Sequence, residues 1–322
     1  MRWPWFWPSL TVAEIFCLKG DFLSVPRSVI GALLSVCTVG FGITTGVLVK
    51  EVSSEASVVT TLFYRFLFSL PLLIGFGLLT RGRQFMQINQ KKTLFFRVLF
   101  GFSGICFWFL SVRTMPLGQA TALFQSSVIF VTLLSPLLLG ERVGIYRWSA
   151  VLTGMIGVIV VTDPFSGDLT HYALFGVMAA MSGAVLAILL RRLGLGDAPA
   201  SVAIWYNLMG FLAISCVVTL FPANFVIYSG TILYQLIALG VVASFLQILL
   251  TSSYRYADAV VISSMRYLQM PLSGLVGYFM LAEIMTTTEI TGAAIIIASC
   301  LVIVWRELVR GKAARPSAAA DS

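Results

Sequence analysis

Two arginines lie inside long apolar segments, where a charge needs a partner. Arg65 lies in the run VVTTLFYRFLF, and Arg266 lies about a third of the way from Asp258 to Leu281. A cation at membrane depth costs a few kcal/mol unless it is paired or hydrated. Every Asp and Glu lies at a segment end or in a loop, so neither arginine has an evident carboxylate partner. We interpret both as candidate anion sites for a carboxylate or phosphate. The alternatives are bonds to helix-end carbonyls, or a side chain that reaches the interface.

The segment around Arg266 has the features of a cavity lining. One helical face carries residues at matching spacing: Ser263, Arg266, Met270, Ser273 and Gly277. Gln269 lies beside this face, and Pro271 removes a backbone hydrogen bond and should bend the helix. A polar, bent helix suits the wall of an internal cavity better than a surface against lipid.

Aromatic and amide side chains near the arginines complete the candidate substrate-binding set. Aromatic walls would hold a planar group by stacking, although plain helix packing is the alternative for each ring, Trp108 and Phe124 included. Gln125 lies in the middle of its segment, where it could face a cavity or bond a neighbouring helix. The complete set is Arg266, Tyr267, Gln269, Arg65, Tyr64, Gln125, Trp205, Tyr206 and Asn207.

The composition predicts an all-α polytopic membrane protein with the lipid bilayer as its solvent. Of 322 residues, 59% are hydrophobic and only 11% are charged, whereas soluble domains carry about a quarter of charged residues. The net charge of +8 reflects a membrane charge bias rather than a nucleic-acid partner. The five cysteines are scattered in apolar runs, so they are interpreted as packing residues, and no metal or other cofactor is expected.

The chain contains an internal repeat. The shift along the chain that moves Glu141 onto Glu283 also aligns Arg113 with Arg255, without a gap. We call this shift the repeat offset. The matched glutamates are interpreted as a structural terminus or a gate contact. The repeat offset also aligns Tyr64 with Tyr206, Ala150 with Gly292 and Gly157 with Ser299. A repeat of this length indicates two homologous halves.

Ten apolar segments are predicted, five in each half. They lie near 28–49, 58–80, 93–112, 117–139, 146–162, 171–190, 200–221, 231–252, 258–281 and 287–305. Two copies of an odd number of spans must insert in opposite orientations, so ten transmembrane helices form two inverted five-helix repeats. We assign 28–163 to the first repeat and 170–306 to the second. Residues 1–27 are an interfacial, cytoplasmic segment with three tryptophans, and 307–322 a disordered cytoplasmic tail.

The distribution of cations predicts the orientation. With the N-terminus in the cytoplasm, only Lys50 and Arg113 fall outside. The cytoplasmic cations are then Arg2, Lys19, Arg27, Arg81, Arg83, Lys91, Lys92, Arg97, Arg142, Arg147, Arg191, Arg192, Arg255, Arg306, Arg310, Lys312 and Arg315. The positive-inside rule therefore places both termini in the cytoplasm of a multi-pass protein of the cell inner membrane.

An enzymatic function is not expected. Gly101-Phe-Ser103-Gly104 has the spacing of an intramembrane serine protease motif, but such chemistry needs a histidine base at the same depth. The only histidine, His171, lies at a segment edge. Gly101 and Gly104 are better explained by close helix packing.

The two-half pattern resembles the drug/metabolite transporter superfamily in its EamA-domain branch. The resemblance runs from Val29 to Trp305 and is carried by Pro116-Leu-Gly-Gln-Ala-Thr-Ala, Leu139-Gly-Glu, Ala257-Asp-Ala-Val-Val and Ala282-Glu283. It implies a ten-helix metabolite carrier. One departure is Ile129, which replaces the proline expected opposite Pro271 and leaves a kink there in doubt. The run Met265-Arg-Tyr-Leu268 is similar to that of bacterial S-adenosylmethionine uptake carriers.

We therefore expect a secondary transporter that moves a small organic metabolite by alternating access. An S-adenosylmethionine-like compound, or another metabolite with an anionic group, fits the candidate site. An exporter of amino acids or related metabolites is the alternative carrier, and a channel is the alternative outside carriers. The sequence leaves a homodimer open.

Overall fold

The computed structural model describes residues 27–139, 145–162, 171–257, 262 and 265–313. These residues form eleven α-helices and no β-strand. The helices are α1 Arg27–Val52, α2 Val58–Arg81, α3 Lys91–Thr114, α4 Leu117–Gln125, α5 Ser127–Leu139, α6 Ile145–Thr162, α7 His171–Gly196, α8 Pro199–Leu220, α9 Thr231–Tyr256, α10 Gln269–Leu281 and α11 Thr287–Ala313. Short 3₁₀ turns lie at Gly82–Gln84, Pro222–Asn224 and Arg266–Leu268.

Six of these helices, α1 to α3 and α7 to α9, are long and apolar enough to cross a membrane. At about 1.5 Å per residue they exceed the roughly 30 Å of bilayer hydrocarbon. Large apolar side chains such as Leu79, Leu152 and Phe279 are exposed on the helix surfaces. A surface of this kind suits lipid rather than water. The fold is that of a polytopic helical membrane protein, while the number of ten spans stays a prediction.

Polar caps determine where two of the helices begin. At the start of α2, Thr60 donates its backbone N–H to Ser57 Oγ at 3.1 Å. Before α3, Asn89 and Gln90 donate their backbone N–H groups to the two carboxylate oxygens of Asp197 at 2.6 and 3.2 Å. Thr60 carries one of the first N–H groups of α2, which have no partner within the helix, whereas Asn89 and Gln90 directly precede the first residue of α3. Buried Asp197 therefore fixes the start of α3 to the loop before α8.

The fourth predicted segment is broken although it lacks the proline expected at Ile129. The break between α4 and α5 falls at Ser126, whose hydroxyl donates to the Leu123 carbonyl at 2.6 Å. A serine that bonds back to its own helix bends it. The ninth segment tightens into the 3₁₀ turn Arg266–Leu268, just before Pro271 in the first turn of α10. The repeat offset aligns Ser126 with Leu268, so the two breaks are equivalent in the repeat.

Helix α11 extends the fold beyond the predicted boundary at residue 306. It continues to Ala313 through the run WRELVRGKA, whose residues are mostly good helix formers. Basic residues near a helix C-terminus are also favoured by the helix dipole. Residues 307–313 are therefore helical rather than part of a disordered tail. The predicted interfacial segment before Arg27 and the tail after Ala313 lie outside the described residues.

Candidate functional site

A central cavity of about 110 Å³ lies between α1–α5 and α7–α10. No described residue that lines it comes from α6 or α11, which pack extensively against each other. Three arginines line it, and no described lining residue is a carboxylate. The other polar residues of the lining are Thr38, Thr45, Ser127, Tyr206, Gln247, Tyr254 and Gln269. The cavity is therefore strongly electropositive.

Arg97, in the first half of α3, is held between two neighbouring helices. Its guanidinium lies 3.8 Å from the ring centroid of Tyr206 and donates from Nη2 to Gln247 Oε1 at 3.0 Å. A Cβ atom at Gly101 would lie 2.2 Å from Arg97 Nη1, so a glycine is required for the side chain to fold along its own helix. Tyr206 donates its hydroxyl to the Gly101 carbonyl at 3.2 Å. These contacts aim Arg97 into the cavity.

Arg65 enters the cavity from α2. Only 1% of the residue is exposed, and its guanidinium lies 4.7 Å from the ring centroid of Phe66. Its Nε and Nη1 atoms have no hydrogen-bond partner among the described residues. Arg65 is therefore a buried cation with little compensation for the water that it has lost.

Arg266 reaches the cavity from the 3₁₀ turn before α10. Its guanidinium lies 5.4 Å from the ring centroid of Phe124, and the side chain is half-buried. Its backbone carbonyl accepts a hydrogen bond from Gln125 Nε2. Gln269 lines the cavity next to Gly42, where a Cβ atom would lie 3.0 Å from Gln269 Nε2. The two broken helices thus meet behind Arg266.

The structure brings only part of the predicted site together. Arg65, Arg266, Gln269 and Tyr206 all line the cavity. Gln125 does not line it but bonds the turn that carries Arg266, which favours the interhelix alternative. The side chain of Tyr267 lies outside the described residues.

Three predicted site residues lie away from the cavity. Tyr64 stacks on Phe68 and Phe225 in a separate aromatic cluster. Trp205 donates Nε1 to the Met86 carbonyl at 2.8 Å. Asn207 bonds within the helix packing, as described next. For the two rings, the structure supports the packing alternative rather than the stacking wall.

Asn207 joins α8 to α2. It donates Nδ2 to the Ala203 carbonyl at 2.9 Å and accepts from Ser69 Oγ at 2.8 Å. The residue is completely buried, and its bond with Ser69 crosses from α8 to α2 while its bond to Ala203 stays within α8. Asn207 therefore acts as a structural polar contact of the kind that membrane helices use.

Sequence reasoning missed Arg97, which it counted among the cytoplasmic cations. The structure corrects this assignment, because only 1% of the residue is exposed. Lys91 and Lys92 precede it closely and make the segment look like a charged helix end. The signal that could have found it is its distance from the start of its helix. Arg97 is the seventh residue of α3, almost as far from the helix start as Arg65, which is the eighth residue of α2.

A paired cation lies at one end of the bundle. Lys50 Nζ lies 2.8 Å from Glu283 Oε1 and donates to the Met115 carbonyl at 2.8 Å. Glu283 Oε2 accepts from the backbone N–H of Leu117 at 2.7 Å. We call these residues the Lys50–Glu283 cluster. It joins the end of α1, the start of α4 and the end of α10. The repeat partner Glu141 lies outside the described residues.

A second cavity of about 380 Å³ lies farther along α7 and α9. It is lined by helix-end residues of both charges, including Arg81, Asp197 and Arg255. The mixture of charges distinguishes it from the central cavity, whose described charged lining residues are all arginines. It has the character of a polar vestibule rather than an anion site.

Comparison with known proteins relates this helical bundle to a family of transporters. Residues 27–163 match the EamA-like transporter family. Over these residues, the chain is similar to that family. The match covers α1 to α6, and it includes Arg65, Arg97, Trp108 and Phe124 of the cavity. The resemblance to the EamA branch of the drug/metabolite transporters is confirmed.

Curated relatives are named as transporters of small metabolites. A riboflavin transporter of Rhizobium johnstonii is 28% identical over 252 residues, which are 77% of this chain and 80% of the relative. An S-adenosylmethionine uptake transporter of Rickettsia felis is 28% identical over 76% of this chain and 82% of the relative. A pseudopaline exporter of Pseudomonas aeruginosa is 24% identical over 80% of this chain and 89% of the relative. The relatives indicate a transporter rather than an enzyme.

A solved crystal structure of another protein shares the fold of this chain. The superposition has a TM-score of 0.65 and covers 84% of this chain and 96% of that chain, at 16% sequence identity. At this identity the similarity concerns the fold alone. It extends well beyond residues 27–163, and therefore includes helices of the second half.

Proposed function

We propose that the protein is a secondary transporter that moves a small, anionic organic metabolite across the inner membrane by alternating access. The observation that carries the proposal is the position of Arg266. It is a cation in a central cavity without a described carboxylate, on a turn that interrupts a helix. Broken helices that carry polar groups into a central site are a recurring feature of secondary transporters.

The pattern of helix packing supports two inverted halves. Helix α3 packs extensively against α7, and α1 packs against α9 in the same way. The repeat offset exchanges these two pairs, because it relates α1 to α7 and α3 to α9. The pairs α6–α11 and α2–α8 each join a helix to its own repeat partner, and α4–α10 joins the two broken segments. In the proposal, 170–306 is a second EamA repeat.

The cavity is smaller than most ligand sites. Its volume of about 110 Å³ compares with roughly 300–1,000 Å³ for small-molecule pockets. A metabolite would have to separate the surrounding helices to bind. The proposed cycle therefore opens the cavity to one side at a time.

The orientation in the proposal rests on the distribution of cations. Moving Arg97 from the cytoplasmic set to the cavity leaves that asymmetry intact, since Lys50 and Arg113 are still the only exterior cations of the scheme. Both termini are then cytoplasmic. The named relatives include both uptake transporters and an exporter.

Reconstitution into liposomes tests the proposed function. Saturable uptake of a labelled metabolite, accelerated by unlabelled metabolite on the opposite side, would identify a carrier, whereas a channel shows no such counterflow. Arg266→Gln should fold normally and lower substrate affinity about 10- to 150-fold, the effect of losing a charge-assisted contact. Arg266→Lys should recover little, because a point charge cannot reproduce the planar guanidinium.

The control removes an arginine that is bonded but lies outside the cavity. Arg113 donates Nη1 to the Ala56 carbonyl at 2.8 Å, so Arg113→Gln should leave affinity unchanged. If Arg266→Gln folds and transports with unchanged affinity, the assignment of Arg266 is wrong. If it lowers the melting temperature without ligand, Arg266 has a structural role instead.

A further inference from the structure

The central cavity contains buried hydrogen-bond donors that lack acceptors. Among the described residues, Nε and Nη1 of Arg65, Nε and Nη1 of Arg97, and Nε1 of Trp108 are buried without a partner. All three residues line the cavity. Guanidinium and indole nitrogens can only donate. These buried nitrogen atoms therefore lack hydrogen-bond acceptors, not donors.

The two buried arginines also lack charge compensation. Each is 1% exposed, and both guanidinium-bearing side chains line the same cavity. Gln247 accepts from Arg97, and the rings of Tyr206 and Phe66 face the guanidiniums, but these groups carry no net charge. Two like charges held together away from water are unfavourable unless an anion joins them.

Ordinary packing does not account for this arrangement. A structural buried cation normally has a carboxylate or several carbonyls around it. Even Arg191, which is only half-buried, donates to the carbonyls of Tyr254 and Ala257. Among the described residues, Arg97 donates only to the amide oxygen of Gln247. Arg65 donates to no described carbonyl or carboxylate. Both side chains instead face the cavity that Arg266 enters.

We propose that Arg65 and Arg97 form a second anion-binding subsite, so that the substrate carries at least two negative charges. The inference rests on the proposed function and specifies its substrate class. One charge contacts Arg266, and a phosphate ester or a second carboxylate contacts Arg65 and Arg97, with Trp108 donating to one of its oxygens. Guanidinium groups bind both kinds of oxyanion. A substrate with a net positive charge, such as S-adenosylmethionine, is disfavoured by three cations with no described carboxylate beside them.

The nitrogen donors of this subsite must become accessible when the substrate binds. The unpartnered nitrogen atoms have almost no exposed surface in this conformation. Binding therefore has to separate the aromatic side chains that cover them. The order of events follows: the cavity opens, the anion bonds both arginines, and the helices close around a neutralised site.

Matched ligand pairs test the proposal with the purified full-length protein in detergent. Riboflavin is compared with riboflavin 5′-phosphate, and adenosine with adenosine 5′-phosphate, at constant ionic strength. S-adenosylmethionine and citrate provide a cationic and a polycarboxylate probe. A ligand that binds the folded state raises the melting temperature in proportion to its affinity and concentration. The phosphate esters and citrate should raise it, each phosphate ester more than its uncharged partner.

Four variants locate the effect. Arg65→Gln and Arg97→Gln should each weaken anion binding about 10- to 150-fold, and should melt no earlier than the wild type without ligand. Lys92→Gln and Arg83→Gln remove the same charge from exposed positions in or next to the same helices, and should bind as the wild type does. As a further check, Arg97→Lys keeps the charge, and should retain the preference for anions at reduced affinity.

Three results would overturn the subsite. These are equal stabilisation by the uncharged partners, anion stabilisation that survives in both glutamine variants, and the absence of stabilisation by any anionic probe. Transport is measured separately, so the two proposals fail independently. Counterflow of an uncharged metabolite would contradict the anion subsite but support the carrier function. Anion binding without counterflow would support the subsite but contradict the carrier function.

Discussion

Lys50 and Arg97 are both cations inside the helical bundle, but only Lys50 has a carboxylate beside it. The Lys50 side chain is 22% exposed, and it has a carboxylate and a carbonyl within 2.8 Å. Arg97 is 1% exposed, and it has one amide and an aromatic ring. The more deeply buried charge has the weaker partners, although its loss of solvation is greater. The contrast indicates that Lys50 holds helices together, whereas Arg97 belongs to the proposed ligand-binding subsite.

Both ends of the bundle use the same kind of closing contact. Lys50, near the end of α1, donates to the Met115 carbonyl. Arg191, near the end of α7, donates to the Ala257 carbonyl at 3.3 Å. The repeat offset aligns Met115 with Ala257. The proposed inverted halves would place equivalent contacts at the two ends, whereas the central site need not be symmetric.

Removing the carboxylate from the Lys50–Glu283 cluster should have the largest effect on stability. Glu283→Gln leaves Lys50 without its ion pair and weakens the bond from the N–H of Leu117. Because both side chains are partly exposed, the expected loss is about 1–3 kcal/mol. Thermal unfolding in detergent measures it, and faster labelling of a cysteine placed at Thr45, on the wall of the cavity, would show that this end opens.

The control for this variant is Glu55→Gln. Glu55 is an exposed carboxylate on the loop after α1, and its change should shift stability by less than about 0.5 kcal/mol. Equal melting temperatures for the two variants would mean that the Lys50–Glu283 cluster does not hold this end closed.

A carboxylate placed beside Arg97 should give it the kind of partner that Lys50 already has. Gln247→Glu has nearly the same shape, and Gln247 Oε1 already accepts from Arg97 at 3.0 Å. A charge-assisted bond is about twice as strong as a neutral one, so we expect about 1–2 kcal/mol of added stability without ligand. The same carboxylate should repel anions, so binding of riboflavin 5′-phosphate should weaken. Melting curves with and without this probe measure both effects.

The matched control places the same change on the surface. Gln84 is exposed in the turn after α2, and Gln84→Glu should alter neither stability nor binding. A Gln247→Glu protein that is less stable than the wild type would show that Arg97 is already compensated.

The sequence alone predicted the helical membrane fold and two of the three cavity arginines. Arg65 and Arg266 stand out because their flanks are apolar. Arg97 was missed because Lys91 and Lys92 suggest a helix end, and the distance of Arg97 from that end depends on where α3 begins. The repeat gave no help, because the repeat offset aligns Arg97 with Leu239. Locating it required the structure around Gly101 and Tyr206.

The repeat also cannot tell which of two equivalent residues reaches the cavity. Tyr64 and Tyr206 are aligned by the repeat offset, but Tyr206 faces Arg97 while Tyr64 stacks on Phe225. Phe225 belongs to the segment between α8 and α9, and the repeat offset aligns it with Arg83, which is exposed. Segments that differ between the halves therefore decide which equivalent side chains face the cavity, and the pattern of apolar residues does not reveal them.

The smallest predicted effect concerns the backbone that positions Glu283. Ala282 is the only non-glycine residue with positive φ among those described, at 52°. The turn is closed by the N–H of Glu283, which donates to the Gly277 carbonyl at 3.0 Å. The equivalent residue of the first half is Gly140. A left-handed conformation costs an L-residue about 1–2 kcal/mol, and the greater freedom of glycine in the unfolded chain offsets about 0.5–1 kcal/mol of this.

Ala282→Gly should therefore stabilise the protein by about 0.5–1 kcal/mol, with transport unchanged because Glu283 keeps its place. Ala213→Gly is the control of opposite sign, because Ala213 is exposed within α8 and glycine inside a helix costs about 0.5–1 kcal/mol. Melting temperatures of the two variants decide the point. If both variants melt earlier than the wild type, the backbone at Ala282 is not strained, and the Lys50–Glu283 cluster is held without stored conformational energy.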